Sequence, residues 1–246
     1  MTDFRYSRQT NVKQFGVLGQ KTLAQKKAVI IGGGGLGSHS ADILTRTGIG
    51  EIDIYDADMV NLSNLHRTAI FSEKDVGHPK VEVLQTYLSQ VNSSVEIHGF
   101  IEEMTAQNIV NKIADADIIL DGTDDMELRF LINEASVKQN VPWVYAGVDT
   151  TTGMIMAIKP GVTACLKCIT QGIPKPTGVI PVFSTLPKIT AAIQCNEACK
   201  LLLDQESAGF IVYDVWTQRF DQINMKRNPQ CSCCMHHDFE FLVGET

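Results

Sequence analysis

No stretch of this sequence is long and apolar enough to cross a membrane. Its longest apolar runs, such as Ala28 to Ile31 and Ile118 to Leu120, are only strand-sized. The first residues, Met1-Thr-Asp-Phe-Arg-Tyr-Ser-Arg-Gln, lack the basic segment and apolar stretch of a secretory leader, so a cytoplasmic setting is expected. Positive charge is also in short supply, with 21 Lys and Arg against 28 Asp and Glu and a formal net charge of −7. The basic residues are scattered rather than run together, which disfavours a nucleic-acid groove or an anionic-membrane patch, and neither partner is expected. Internal repeats and low-complexity segments are absent as well. What is present is 246 residues, 44% hydrophobic and 20% charged, enough for one substantial core and a single domain over 1–246.

Apolar strand-like runs alternate with amphipathic helical stretches through the first half. Polar short helical segments over Arg5 to Ala24 (residues 1–26) precede a strand at Lys27 to Ile31, and further strands are predicted at Glu51 to Tyr55, Val95 to Phe100, Asp117 to Leu120 and Trp143 to Ala146. Helices are predicted near Leu36 to Thr47, Lys80 to Val91, Thr105 to Ile113 and Glu127 to Gln139. Such alternation implies a Rossmann-like, doubly wound α/β fold with a mainly parallel sheet covered on both faces, here over 27–147. After Gly147 the pattern changes. Gly153 to Ile158, Phe210 to Asp214 and Arg219 to Lys226 read as strands, the last two with no helix between them, which predicts an antiparallel extension over 148–246. Between them lie a Pro- and Gly-rich loop, Thr170 to Thr185, and an apolar helix from about Leu186 to Leu203. A loop of that length inside a compact domain is usually a functional lid or crossover.

Gly32-Gly33-Gly34-Gly35-Leu36-Gly37 contains G-x-G-x-x-G at Gly32, Gly34 and Gly37, directly after a strand and before a helix. Glycines there permit a tight turn and close backbone approach to phosphate, and the helix N-terminus stabilises an anion. About twenty residues on, Asp56 can hydrogen-bond a ribose hydroxyl. Alone these features favour NAD. The following run, with Asp56, Asp58, Asn64 and Arg67, and then Lys80 in the first turn of the next helix, argues otherwise. A cation beside a positive helix end is unfavourable unless a polyanion lies between them, although each of these charges read singly is an ordinary solvated side chain. Asp121-Gly122-Thr123-Asp124-Asp125 follows a buried-type strand at the sheet edge where α/β proteins bind ligands. Carboxylates there can hold Mg²⁺ beside a triphosphate; alternatively Asp124 or Asp125 caps the helix beginning near Met126.

The seven cysteines include two C-x-x-C pairs, Cys165/Cys168 and Cys231/Cys234, with Cys233 inside the second. In a chain with no export signal these read as a zinc knuckle of four thiolates with no open position for catalysis. Cys231 with Cys234 is preferred over a register using Cys233, because x-x spacing lets both sulfurs meet one ion. His236 and His237 rank as surface residues. Cys195 and Cys199, four apart on one apolar helix, read as core packing.

Taken in order, Arg5-Tyr-Ser-Arg8-Gln9, the glycine loop, Asp56-x-Asp58-x-Val60-x-x-Ser63-Asn64-Leu65-x-Arg67, Gly77-x-Pro79-Lys80, Asp121-x-Thr123-Asp124 and the paired C-x-x-C resemble the ThiF/MoeB/HesA family, relatives of the ubiquitin-activating enzymes. The resemblance implies an adenylyltransferase using ATP, Mg²⁺ and Zn²⁺. Its substrate would be a ubiquitin-like sulfur carrier ending in Gly-Gly, of the MoaD type (molybdopterin) or the ThiS type (thiamine), with a lean to the former. Gly34, Gly35, Gly37, Asp56, Asp58, Asn64, Arg67 and Lys80 would bind the nucleotide, with Asp56 on the ribose and Asn64, Arg67 and Lys80 on the polyphosphate. Asp124 would hold magnesium, and Arg8 would reach into a neighbouring subunit's site, which implies a homodimer. Catalysis would fall to Arg8, Arg67, Lys80 and Asp124.

The family usually has Gln where this chain has Thr68 and Asn where it has Asp125. The crossover loop lacks the nucleophilic cysteine of some members; Thr177 or Gly178 falls near its place. Competing readings are an NAD(P)-dependent oxidoreductase, a non-catalytic binding protein, and a relative that adenylates a peptide or a tRNA.

Overall fold

The computed structural model describes residues 4–170 and 180–242. A short helix α1 (Gly16–Leu23) leads into β1 (Lys27–Ile31), α2 (Gly35–Thr47), β2 (Glu51–Tyr55), α3 (Lys80–Val91), β3 (Glu96–Phe100), α4 (Ile109–Lys112), β4 (Ile118–Asp121), α5 (Met126–Gln139) and β5 (Trp143–Asp149). Then follow β6 (Thr152–Ile158), α6 (Leu166–Thr170), α7 (Leu186–Leu202), β7 (Phe210–Asp214) and β8 (Arg219–Ile223). The eight strands form one sheet in the order β3-β2-β1-β4-β5-β6-β7-β8. The first five strands pair in parallel and the last three are antiparallel.

Because side chains alternate along a strand, β1 sends Ala28 and Ile30 to one face and Val29 and Ile31 to the other. Ala28 and Ile30 join Leu44, Leu84, Leu88 and Ala198 in a core with α2, α3 and α7. Val29 and Ile31 join Ile109, Leu131, Ile132 and Trp143 in a second core under α4 and α5 that runs on to Cys165, Cys231, Cys233 and Cys234. Both faces are therefore covered, as the doubly wound reading expects.

Element positions agree with the sequence pattern to within a residue except at four places, one of them β5, which runs on to Asp149 rather than ending at Ala146. The helix expected over Thr105 to Ile113 is α-helical only at Ile109–Lys112: Asn108 Oδ1 accepts the Thr105 N–H at 2.8 Å, its amide bonds Glu102 and the Glu103 carbonyl, and the lead-in stays a turn. The last strand ends at Ile223 rather than Lys226. The first C-x-x-C straddles the start of a short helix, α6, that its spacing alone did not announce: Cys165 immediately precedes it and Cys168 lies within it. In the loop expected as the crossover, residues 171–179, including Thr177 and Gly178, lie outside the described residues.

Candidate functional site

In a parallel sheet the C-terminal ends of the strands share one edge, and three of them carry the motifs. Past β1 comes the glycine loop, past β2 Asp56, and past β4 the segment Gly122 to Asp125. In the strand order the chain leaves β1 for β2 on one side and returns to β4 on the other, so β1 and β4 flank the switch point where α/β sheets open a crevice. The backbones pack tightly there. Gly32 has φ +96°, and a Cβ on it would lie 2.6 Å from the Gly122 carbonyl carbon; one on Gly37 would strike the Gly32 oxygen. Gly34 is different, since a Cβ there would meet nothing within 4 Å. No side chain caps α2 at Gly34, which leaves its first-turn N–H groups available to an anion in the crevice.

Asp56 ties the second strand to this loop. Its Oδ2 accepts the Gly33 N–H at 2.7 Å and its Oδ1 the Asp58 N–H at 2.8 Å. Lys80 opens α3 and is buried, with Nζ 2.7 Å from Asp58 Oδ2 and 3.5 Å from Asp56 Oδ2. The expectation that only a polyanion could justify a cation at this helix end is thus corrected: two carboxylates of the preceding loop already balance it. They differ in kind, however, because the Asp56 side chain is 9% exposed and that of Asp58 is 74% exposed. The outer partner can be exchanged for a ligand oxygen at small cost.

The loop after β2 folds on itself. Asn61 and Asn64 form a capping box, with Asn64 Oδ1 accepting the Asn61 N–H at 3.1 Å. Arg67 Nη1 donates to the Ser63 carbonyl at 2.8 Å, and the stem of Arg67 lies over Gly35. Thr68, one of the departures from the family pattern, turns inward and donates to the Asn64 carbonyl at 3.2 Å. His39 of α2, which sequence reasoning passed over, holds the Arg67 carbonyl at 3.1 Å from its Nε2. Burial, reinforced by Lys188, lowers its pKa below the ordinary imidazole range, so the neutral ring donates from Nε2.

At the β4 edge the three acidic positions part company. Asp121 is fully buried and meets Arg129 of α5, Nε to Oδ2 2.9 Å. Arg129 also donates to the Thr123 and Ala146 carbonyls at 2.7 and 2.9 Å. Asp125 caps α5 through the Glu127 N–H at 2.8 Å, a role an Asn fills equally well, so this departure leaves the scaffold unaltered. Asp124 remains exposed at the crevice.

Arg8 is exposed, and the next residue, Gln9, donates to the Thr47 carbonyl at 2.9 Å at the far end of α2. Since α2 has 13 residues, about 20 Å at 1.5 Å each, Arg8 lies a helix length from the glycine loop of its own chain. A separate groove of about 320 Å³ lies between α7 and the β7–β8 edge, lined by Ile193, Lys200 and Phe220; none of the nucleotide-loop residues borders it.

The two knuckles meet on the opposite face of the sheet. Sγ separations are 3.8 Å for Cys165–Cys168, 3.7 Å for Cys165–Cys231 and 3.5 Å for Cys168–Cys234. A Zn–S bond of about 2.3 Å places tetrahedral sulfurs about 3.8 Å apart, so this donor set fits Zn²⁺ in the Cys231/Cys234 register. The sulfurs of Cys195 and Cys199 lie elsewhere, in the α7 core. Burial raises the Cys199 thiol to about 11 and drives that of Cys195 higher, which keeps both protonated and unreactive. No helix among the described residues is long and apolar enough to span a membrane.

Residues 6–233 match the ThiF family. The chain is 35% identical to the sulfur carrier protein ThiS adenylyltransferase of Bacillus subtilis, over 98% of this chain and 74% of that protein. It is 30% identical to the sulfur carrier protein adenylyltransferase of Thermus thermophilus, over 94% and 90%. Among solved structures, Escherichia coli MccB with ATP superposes with a TM-score of 0.81 at 28% identity, over 94% of this chain and 74% of that one. Glycine loop, acidic strand ends, paired knuckles and these likenesses agree: the chain belongs to the ThiF family.

Proposed function

We propose that this chain adenylates the C-terminal glycine carboxylate of a ubiquitin-like sulfur carrier, of the MoaD or ThiS type, at the expense of ATP, with release of pyrophosphate. The observation that supports this most is the convergence of an uncapped helix N-terminus at Gly34 and Gly35, the Arg67 stem over it, and Lys80 held by an exchangeable Asp58. An NAD site accounts for the glycine loop and Asp56 but not for Asn64, Arg67, Lys80 and Asp124 together. The relatives named as sulfur carrier adenylyltransferases, and the ATP-bound MccB structure, point to the same chemistry.

In this reading residues 27–147 form the nucleotide half and 148–246 the carrier half of one adenylation unit. The carrier carboxylate is ionised at neutral pH and needs no general base. One of its oxygens attacks the α-phosphorus as the bond to the β-phosphate oxygen breaks, and the electron pair leaves on pyrophosphate. Arg67, Lys80 and the amides of Gly34, Gly35 and Gly37 stabilise that charge by position. Asp56 orients the ribose through oxygen lone pairs not used by the Gly33 and Asp58 N–H groups. Asn64 holds polyphosphate, and Asp124 holds Mg²⁺, which supplies further charge neutralisation when bound. Arg8, remote from its own loop, serves the site of a second copy, so the working unit is a homodimer. The four-thiolate site holds Zn²⁺ for folding rather than chemistry, in keeping with a reducing, cytoplasmic setting.

ATP–pyrophosphate exchange with Mg²⁺ tests the reading. Exchange is expected only with a carrier whose Gly-Gly end is intact, and whichever of a MoaD-type or ThiS-type carrier supports it names the pathway. No exchange with either, in protein that holds zinc and binds ATP, would overturn it. Catalysis ends at the adenylate on this reading, because the described thiols are core or knuckle residues. Replacing Cys195 and Cys199 together by Ala is expected to leave exchange within about threefold of the parent, a change of about 0.6 kcal/mol in barrier. Loss of exchange in the folded double variant would assign one of them to chemistry.

A further inference from the structure

Counting Cys233, the two knuckles together hold five sulfurs, one more than a tetrahedral ion accepts. Cys231, Cys233 and Cys234 are all buried, yet the set of mutually close sulfurs is Cys165, Cys168, Cys231 and Cys234. Cys233 is not remote, since it packs in the same buried core cluster as the other knuckle cysteines. What distinguishes it is Asn133. This α5 residue is 1% exposed, and its Nδ2 donates to Cys233 Sγ at 3.2 Å while its Oδ1 accepts the Leu166 N–H at 2.8 Å. One buried carboxamide therefore grips both knuckles, the first by the backbone between its two ligands and the second by its surplus sulfur.

We propose that Asn133 selects the ligand set of the zinc site: its amide N–H holds Cys233 outside the shell, so that Cys234 completes it. The inference rests on the Zn²⁺ reading of the four-sulfur site. A neighbouring thiol with no partner would be free to rotate toward the ion, and two registers of nearly equal reach would then compete. A buried amide aimed at one sulfur and anchored at its other end removes that degeneracy, in the way outer hydrogen bonds orient metal ligands elsewhere.

The test uses the full chain loaded with Co²⁺, whose thiolate-to-metal charge-transfer intensity counts bound sulfurs. Wild type and Cys233→Val are both expected to give the four-sulfur spectrum at one ion per chain, and Cys234→Ser the three-sulfur one. In the Cys234→Ser background, Asn133→Leu is expected to restore the fourth sulfur by freeing Cys233. Asn133→Asp, which keeps an acceptor for Leu166 but loses the donor, serves where the Leu variant fails to fold. With Cys234 intact, Asn133→Leu should release Zn²⁺ to a chelator about ten- to a hundredfold faster. A four-sulfur spectrum from Cys234→Ser alone, or loss of a sulfur in Cys233→Val, would overturn the selection by Asn133. The same follows if neither Asn133 variant restores the fourth sulfur. Failure of wild type to bind Co²⁺ or Zn²⁺ at all would instead overturn the zinc reading beneath it.

Discussion

Replacing Lys80 by Met is expected to lower kcat/KM for ATP by about a thousandfold, with little loss of fold. Removing one preorganised donor from a charge-stabilising site typically costs about 10²–10³ in rate, and here the substitution also strips Asp56 and Asp58 of their counter-charge. Two unit charges about 4 Å apart interact by roughly 4 kcal/mol at an effective dielectric constant near 20. That figure is an upper bound for Asp58, whose side chain is 74% exposed and well screened, and a better guide for Asp56 at 9%. Asp56 keeps the Gly33 and Asp58 N–H groups as partners, so the loop should hold its shape while its field turns against a triphosphate. Adding Asp58→Asn to Lys80→Met should recover up to about tenfold, because it removes one of the two repelling charges. Steady-state ATP–pyrophosphate exchange across the three proteins measures this. A Lys80→Met protein within tenfold of the parent would show that Lys80 neutralises its own loop and does not touch the nucleotide.

The second large effect is on stability, and it falls on Arg129. Met at this position leaves the Asp121 carboxylate fully buried without its ion partner, and leaves the Thr123 and Ala146 carbonyls without their donor. Breaking a buried pair from one side costs about 3–5 kcal/mol, and at about 2–4 °C per kcal/mol for a chain of this size the melting temperature should fall by roughly 6–20 °C. Pairing Arg129→Met with Asp121→Asn should recover part of the loss, since the amide carries no charge and still accepts the Thr123 N–H. The pH dependence has a definite sign. Burial pushes the Asp121 carboxyl upward against the opposing pull of Arg129. Without Arg129 its folded pKa rises further above the unfolded value, so the folded state holds a proton the unfolded state releases, and stability falls as pH rises through that window. The deficit of Arg129→Met relative to the parent is therefore expected to be smaller near pH 5 than near pH 8, read by thermal melts at both. A deficit independent of pH would mean that the lost carbonyl contacts, rather than the stranded carboxyl, carry the cost.

Residues legible from the sequence are those whose signal is local. The glycine loop announces itself because strand, turn and helix follow within a few residues, and only glycine tolerates the approach of Gly32 to Gly122 or of Gly37 to Gly32. The knuckles were legible because C-x-x-C spacing lets two sulfurs face one ion, and the Cys231/Cys234 register follows from the same spacing. The choice between Asp124 and Asp125 as helix cap was open in the sequence and is decided by a single backbone bond to Asp125. His39, Arg129 and Asn133 carried no such signal. Each lies on a helix face where a polar residue is ordinary, and each has partners 6 to 100 positions away.

Sequence alone determined the fold class, the parallel half with its antiparallel extension, the crevice-lining loops and the four sulfurs, because periodicity, glycine placement and ligand spacing act over short chain lengths. Tertiary structure alone decided which charges neutralise which. Lys80 turned out to be held by Asp58 and Asp56, Asp121 to be sealed against Arg129, and Cys233 to be drawn to Asn133. The physical reason is that an ion pair or a buried hydrogen bond depends on distance and burial in space, and side chains far apart in the chain acquire both only when the sheet has closed over them.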